Sequence, residues 1–265
     1  MLTESLLQQF HPHYDGRFAD KVLPEAERII ALKALLRAYL STMNDIGAET
    51  WIMHGSLLGW WWNRKIMPWD SDVDVQISER SIAHLARYYN MTIHHFQFAE
   101  LAGGESITIR RTSTTAATVA NSTASATSTP TPTPSTVAST YQGRDYMLEI
   151  NPNWVNPSVL DHYNMIDARW IDTETGLFID ITTLRRDVEA EQRGYPGRMM
   201  CKDRHHYLEE DVFPLRESVF ENVPVKIPFA YSELLIEEYG AQCLTATEFE
   251  GHRFDEEKME WERIE

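Results

Sequence analysis

Cysteine is almost absent from this sequence: Cys201 and Cys243 are the two examples among 265 residues. Two thiols cannot build a disulfide scaffold or a four-cysteine zinc site, although one bridge or two free thiols are both compatible with the sequence. No run of 18 apolar residues occurs, so no transmembrane helix is predicted. The first ten residues lack a basic stretch followed by a long apolar run, and we expect no signal peptide there.

Positive charge is also scarce. Lysine and arginine together number 24 against 40 aspartates and glutamates, which gives a net charge of −16. A field of that sign repels a phosphate backbone and argues against a general nucleic-acid binder, but it is compatible with a nucleotide bound through metal ions. A Ser-His-Asp hydrolase is not indicated, because the chain has no nucleophile-elbow motif.

Hydrophobic residues make up 43% of the chain and aromatics 11%, which is enough to build a sizeable core. Apolar spacing predicts a helix from Pro24 to Met43 and another from Tyr231 to Tyr239, stopped by Gly240. Between them the pattern predicts a strand, a tight turn and a helix over 50–62, a strand over 71–78 and a helix over 81–89. A hairpin is predicted with strands at 167–172 and 177–182 around Gly176.

Residues 112–140 differ in kind from the rest. Of these 29 residues, 17 are serine or threonine, 6 are alanine and 3 are proline, and none is charged. We predict a disordered insert in an enlarged hairpin loop, because no apolar pattern offsets the entropy of ordering. The composition resembles O-glycosylated stalks, and two sequons, at Asn90 and Asn121, point the same way. We divide the chain into an N-terminal helical segment (1–46), a main domain (47–245) and an acidic, solvated C-terminal tail (246–265).

The segment from Pro68 to Val75 contains an Asp-x-Asp pair. Residues two apart share one face of a strand, so Asp72 and Asp74 are predicted to point together, with Asp70 beside them if the strand extends that far. Two neighbouring carboxylates repel each other, and a divalent cation relieves the repulsion; oxygen ligands suit Mg²⁺ or Mn²⁺. An exposed acidic strand edge would show the same pair, so the motif needs its context.

Two further motifs supply that context. Gly55-Ser56 lies at a predicted strand-to-helix turn, where glycine permits close backbone approach and a helix N-terminus attracts phosphate. Far downstream, Asp180 alternates with isoleucines in a predicted strand, and a buried acid there needs a partner. Together the three motifs indicate a nucleotidyltransferase-like fold of the α/β (α+β) class, with a mixed sheet flanked by helices.

These motifs resemble the signature of the LicD/fukutin family. The resemblance covers roughly residues 10–240, interrupted by the insert. Its first and most specific part consists of His54–Trp60 and Pro68–Asp74. The later runs resemble the fungal branch of the family, which is linked to mannosylphosphorylation of cell-wall glycans: Leu148–Pro152, Ile166–Asp172, Gly176–Thr182, Glu210–Arg216 and Tyr239-Gly240.

The resemblance implies a transferase that moves a phosphosugar, mannose phosphate in the fungal branch, from a nucleotide diphosphate sugar such as GDP-mannose to a glycan hydroxyl. Mg²⁺ or Mn²⁺ would be held by the catalytic carboxylates Asp72, Asp74 and Asp180, and Asp180 would receive the acceptor proton. Donor phosphate would be held by Gly55 and Ser56. Arginines and lysines proposed as further phosphate contacts are Arg64, Lys65, Arg110 and Arg111.

The family implies a Golgi location, although the sequence itself shows no anchor and a cytoplasmic location is compatible with it. Two other functions stay open: a non-catalytic regulator or partner of a mannosylphosphate transferase, and a small-molecule nucleotidyltransferase. No nucleic acid partner is expected.

Two weaker predictions concern neighbouring residues. Asp172 lies on the other arm of the predicted hairpin, and we expect it to cap the 173–176 turn, with Asp172→Ala costing about 1 kcal/mol or less. Cys201, His205 and His206 have zinc-type side chains in a short window, but a fourth ligand is not evident, so a structural role is the more ordinary interpretation.

Overall fold

The computed structural model describes residues 11–101 and 143–264. The insert predicted at 112–140, the sequon at Asn121, and Arg110 and Arg111 lie outside the described residues. No helix among the described residues is both long and apolar enough to cross a membrane.

Seven α-helices occur in the described parts of the chain: α1 (Glu25–Ile46), α2 (His54–Asn63), α3 (Glu79–Tyr88), α4 (Phe98–Leu101), α5 (Val188–Gln192), α6 (Glu209–Val212) and α7 (Tyr231–Tyr239). The strands of the same residues are β1 (Thr50–Ile52), β2 (Asp74–Ser78), β3 (Thr92–Gln97), β4 (Gly143–Ile150), β5 (Ala168–Asp172), β6 (Phe178–Arg186), β7 (Arg198–Met200), β8 (His206–Leu208), β9 (Arg216–Phe220), β10 (Val223–Ile227), β11 (Glu248–Phe249), β12 (His252–Asp255) and β13 (Glu260–Arg263).

A mixed sheet with helices against it forms the centre of the fold, which confirms the predicted fold class. Its strand order is β1-β2-β6-β5-β4-β3. Outside this row, β7 pairs with the end of β6 and also with β8. Within this sheet β2 and β6 run parallel, whereas the other pairs are antiparallel. The parallel pair places the starts of β2 and β6 at the same edge of the sheet.

Helix α1 covers the middle of the sheet, as the apolar spacing predicts. Leu32, Leu35, Leu36, Tyr39 and Met43 recur every three or four residues and are fully buried. The helix ends where Gly47 adopts a left-handed conformation, φ 76°, and its N–H returns to the carbonyl of Asn44. The helix contacts β5, β6 and β10, so burial of its apolar face holds the segment before residue 47 onto the central sheet.

The acidic end of the chain is folded, so the prediction of a solvated tail is wrong for residues 248–263. Strands β11, β12 and β13 form a small antiparallel sheet. Phe254 and Trp261 are buried in it and pack against Trp62 and Trp69. In β12 and β13 the aromatic residues alternate with charged ones, so the aromatic rings lie on one side of the strands. The boundaries proposed at 46/47 and 245/246 stay a prediction.

The β5–β6 hairpin is built as predicted, and Asp172 organises its turn. The Asp172 carboxylate accepts hydrogen bonds from the backbone N–H groups of Glu174 (2.9 Å) and Thr175 (3.3 Å). It is fully buried and also accepts from Arg144 Nη1 at 2.8 Å. Asp172 is therefore a turn cap, but a more deeply buried and more heavily bonded one than the sequence indicates.

Gly176→Ala is expected to destabilise the fold by about 2 kcal/mol or more. Gly176 has φ 76°, and an added Cβ would lie 2.5 Å from Ala19 Cβ and 2.8 Å from the Asp15 carbonyl oxygen. The matched control is Gly197→Ala, since Gly197 has φ 78° with nothing within 4 Å of the added carbon. The control should lose only about 1 kcal/mol from left-handed strain. Urea unfolding of both variants measures the difference, and equal losses would contradict the packing argument.

Candidate functional site

The carboxylate cluster lies at the edge of the sheet where β2 and β6 begin. The parallel register pairs Asp74 directly with Asp180. Strand β2 starts at Asp74 rather than near residue 71 as predicted, so Asp72 belongs to the preceding loop. Its side chain is 41% exposed, and its Oδ2 lies 3.4 Å from His13 Nδ1. Tertiary structure therefore brings the distant acid Asp180 to the Asp-x-Asp motif, as the sequence predicts.

The Gly55-Ser56 turn wraps around Asp74. Ser56 Oγ accepts a hydrogen bond from the Asp74 backbone N–H at 2.9 Å, and the Asp74 carbonyl accepts from Met53 N–H at 3.1 Å. The Ser56 backbone N–H also acts on the Asp74 carboxylate and lowers its pKa. A Cβ added to Gly55 would lie 3.2 Å from Asp74 Oδ2 and 3.8 Å from Asp70 Oδ2. Glycine is thus needed because the carboxylates approach the start of α2 so closely.

Burial and mutual repulsion shift the ionisation of these acids. Desolvation, followed by the charges of Asp74 and Asp72, raises the pKa of Asp70 to about 7. Desolvation and the charge of Asp72 raise the pKa of Asp74 to about 7 as well. Burial also raises the pKa of Asp180, although Arg169 partly offsets the effect. The local field therefore favours a proton or a cation among these carboxylates.

A row of alternating charges continues from the cluster across the sheet. Arg169 Nε donates to Asp180 Oδ1 at 2.7 Å, and the Arg169 guanidinium lies 4.1 Å from the centre of the Phe178 ring. Glu149 is the register neighbour of Arg169 on β4 and forms an ion pair with Arg17. Arg169 is 4% exposed, so this contact fixes the orientation of Asp180 within the sheet.

The cluster fits a hard divalent cation in chemistry, because its donors are carboxylate oxygens whose repulsion such an ion relieves. Asp72 and Asp180 contact His13 and Arg169 in this structure. In the described part of the chain the carboxylates of Asp72, Asp74 and Asp180 do not form a set with all ligand atoms within 4.8 Å of one another. Binding an ion here therefore requires side chains of this cluster to move closer together.

The proposed phosphate contacts Arg64 and Lys65 are not brought to the cluster. Helix α2 has ten residues and is about 15 Å long, and these two follow its far end while Gly55 lies at its beginning. Arg64 Nη1 donates to Ser218 Oγ at 2.9 Å, and Lys65 pairs with Glu260. Sequence proximity to the motif was misleading because the helix carries the chain away from it.

Three residues that act on these acids were not selected from the sequence as site residues. Arg169 could have been found, since it is a lone charge between Ala168 and Trp170 in a buried strand, the same signal that Asp180 gives. Arg28 on α1 is the second: its charge lowers the pKa of Asp70, and its Nε is buried without a hydrogen-bond partner. His13 has no comparable signal, because its contact with Asp72 spans 59 positions.

The zinc-type group considered from Cys201, His205 and His206 is not assembled. Cys201 is fully buried, where burial raises its thiol pKa well above the ordinary range, and its sulfur lies 3.5 Å from Gln76 Nε2. His206 Nδ1 lies 3.5 Å from the Asp187 carboxylate. His205 precedes β8 and lies beside Asp203, whereas His206 begins β8 and lies beside Asp187, so the two rings separate. Cys201 and Cys243 are both free thiols.

The stability of the chain is expected to fall as pH rises from about 4 to about 7. Asp70 and Asp74 have an ordinary pKa of 3.8, which the fold raises to about 7. Between those values the folded state holds more protons than the unfolded state, so deprotonation favours unfolding. Thermal melts in chelator at pH 5 and pH 7.5 measure the slope, and Asp70→Asn should flatten it. An unchanged slope in that variant would contradict the assignment.

Comparison with known proteins gives one family and two relatives. Residues 47–158 match the model of LicD/FKTN/FKRP, nucleotidyltransferase domain. Mannosyltransferase regulator 4 of Saccharomyces cerevisiae is 25% identical over 187 residues, covering 69% of this chain and 12% of that protein. Mannosyltransferase regulator 14 of the same yeast is 22% identical over 185 residues, covering 68% and 15%. The chain thus spans less than one sixth of the length of these curated relatives.

Proposed function

Because residues 47–158 carry the nucleotidyltransferase domain of the LicD family, we propose that this chain is a metal-dependent transferase acting in mannosylphosphate modification. It would move a phosphosugar, mannose phosphate, from a nucleotide diphosphate sugar to a glycan hydroxyl. The relatives named mannosyltransferase regulators support the mannose-related part of this proposal. A Golgi location and GDP-mannose as donor are further parts of the proposal.

The observation that carries the proposal is the pairing of Asp74 with Asp180 on adjacent parallel strands, beside the Gly55 turn. Three segments that are distant in sequence converge there with raised carboxylate pKa values. Maintaining such repulsion costs stability, so its presence favours a site that binds a cation over a purely structural arrangement.

Mg²⁺ or Mn²⁺ held by Asp72, Asp74 and Asp180 would supply charge neutralisation for the donor diphosphate and the leaving nucleotide. The residues of the chain divide the remaining work. We propose that Gly55 and Ser56, at the start of α2, hold donor phosphate once a cation neutralises the carboxylates that lie against Gly55. We propose Arg28, whose Nε has no hydrogen-bond partner and whose charge lowers the pKa of Asp70, as a donor-phosphate contact in place of Arg64 and Lys65.

Asp180 is the residue proposed to accept the proton of the glycan hydroxyl. In the cation-free protein, burial raises the pKa of this carboxyl, and its oxygen can accept the proton directly or through a water. Arg169 holds Oδ1 at 2.7 Å and so leaves Oδ2 as the oxygen available for the acceptor. Arg169 therefore acts as a positioning residue for Asp180.

The second candidate function is a regulator or partner of a separate transferase. It is favoured by the names of the two relatives, both mannosyltransferase regulators, and by the small share of each that this chain covers. A regulator would bind the donor or acceptor without turnover. Substitutions in the carboxylate cluster would then change donor affinity in a binding assay, and no product would form under any metal condition.

Product analysis tests the proposal directly. The purified chain is incubated with GDP-mannose, Mn²⁺ and a mannose oligosaccharide, and the nucleotide products are separated. If the chain is the proposed transferase, GMP and a sugar phosphodiester should form, and both should require metal. Pyrophosphate released from a nucleoside triphosphate, with the nucleotide left on the acceptor, would instead indicate a small-molecule nucleotidyltransferase. Donor binding without either product supports the regulator.

A further inference from the structure

A second group of ligand-type side chains assembles between the start of α2 and the turn joining β7 to β8. Among the described residues, His54, Asp203 and His205 are the set whose ligand atoms all lie within 4.8 Å of one another. The two imidazole rings are 4.3 Å apart, centroid to centroid, and tilted by 43°. Roughly 150 positions separate His54 from the other two, so only the tertiary structure brings them together.

The backbone at both ends of this group is held in an uncommon conformation. His54 has φ 51° and Arg204 has φ 74°, in the left-handed region that non-glycine residues rarely occupy. Arg204 N–H donates to the Cys201 carbonyl at 3.1 Å, and Cys201 N–H donates to the His205 carbonyl at 2.9 Å. This tight turn places Asp203 and His205 side by side, with Asp203 Oδ1 3.2 Å from His205 Nδ1.

Two nitrogens in the group, His54 Nε2 and His205 Nδ1, are buried without a hydrogen-bond partner. His54 Nδ1 lies 2.9 Å from both carboxylate oxygens of Glu238, so this nitrogen carries the proton that Glu238 accepts. His54 Nε2 is buried and has no hydrogen-bond partner. A neutral ring leaves an unsatisfied lone pair there, and a protonated ring leaves an unsatisfied N–H donor. Either state is costly in a buried position unless another group supplies the missing contact.

We propose that His54 Nε2, Asp203 and His205 bind a zinc-class divalent cation, with Glu238 orienting His54. Two imidazoles and one carboxylate are a ligand set typical of zinc, and a carboxylate behind a ligating histidine is its usual support. Ligand atoms about 2.0–2.1 Å from one ion lie roughly 3.3 Å apart in a tetrahedral site, so atoms within 4.8 Å need to close by no more than about 1.5 Å. The fourth position stays open to water or to a ligand.

This cation site is separate from the acidic cluster and does not rest on the transferase proposal. The acidic cluster offers only oxygen atoms, which suit Mg²⁺ or Mn²⁺, whereas two imidazole nitrogens select a softer ion. The two sites are joined through α2, because His54 directly precedes Gly55, which lies against Asp74. An ion on His54 would therefore connect the start of α2, which lies against Asp74, to the β7–β8 turn and would hold both in position.

The test uses the full chain, stripped with chelator and titrated with zinc sulfate. We expect one equivalent of zinc per chain, a higher melting temperature with zinc, and visible d–d absorption when Co²⁺ replaces it. His54→Ala and His205→Ala should weaken zinc binding by more than about 100-fold, and Glu238→Gln by about 10–100-fold. Mg²⁺ should not reproduce the shift in melting temperature.

Two controls locate the ion. His206→Ala removes a neighbouring histidine that faces Asp187 and should retain full zinc binding. Asp74→Asn changes the acidic cluster and should also retain zinc. Should either alanine variant fail to fold, Glu238→Gln and Asp203→Asn provide the same comparison. A wild-type chain that retains no zinc overturns the proposal, and so does zinc lost in Asp74→Asn but kept when His54 or His205 is replaced.

Discussion

Asp74→Asn is expected to reduce metal-dependent turnover by about 10³-fold or more and to raise the melting temperature in chelator at pH 8. The carboxylate is half-buried beside Asp70, Asp72 and the start of α2, and its charge is opposed by desolvation and by its neighbours. Asparagine keeps an oxygen that can accept from the Ser56 backbone N–H but removes the charge that holds a cation. Stability and activity should therefore move in opposite directions.

Asp45→Asn is the matched control, because it makes the same chemical change at an exposed position near the end of α1. It should alter neither turnover nor melting temperature appreciably. Differential scanning fluorimetry with chelator and with Mn²⁺, beside a product assay, makes the comparison. Full activity in Asp74→Asn would remove this residue from the mechanism. A lower melting temperature in the same variant would show that its carboxylate stabilises the fold.

Asp180→Asn and Asp172→Asn are expected to separate catalysis from folding on the two arms of one hairpin. Asp180→Asn should lose turnover by about 10³-fold, since it removes the proposed base and cation ligand while keeping an acceptor for Arg169. Asparagine is preferable to alanine there, because it keeps a hydrogen-bond acceptor for the buried Arg169, whereas alanine removes both the acceptor and the counter-charge.

Asp172→Asn should instead lose about 2–4 kcal/mol of unfolding free energy and retain turnover in the folded fraction. This exceeds the loss of about 1 kcal/mol or less that the sequence indicates for removing Asp172. The structure shows full burial, two backbone N–H groups and Arg144 all depending on this carboxylate. Urea unfolding measures the loss of stability in both variants, and initial rates measure their turnover. An inactive but stable Asp172 variant would reverse the two roles.

Local sequence patterns were sufficient where one segment decides its own structure. The spacing of Leu32, Leu36 and Tyr39 predicts α1, and Gly240 predicts the end of α7. Asp180 between isoleucines also predicts its own position, because alternation fixes which face of a strand a residue occupies. The same reasoning failed for the C-terminal acids, where exposed charge masks the buried rings of Phe254 and Trp261.

The Asp-x-Asp motif, the turn at Gly55, the lone acid at Asp180 and the mixed α/β class could all be predicted without coordinates, since each is a property of a short segment. The side chains that surround them depend on how distant segments pack. The tertiary structure separated Arg64 and Lys65 from Gly55 by the length of α2, and it brought Arg169, His13 and Arg28 to the acids. It also joined His54 to Asp203 and His205. Contacts between distant segments follow from strand order and packing, which no local periodicity contains.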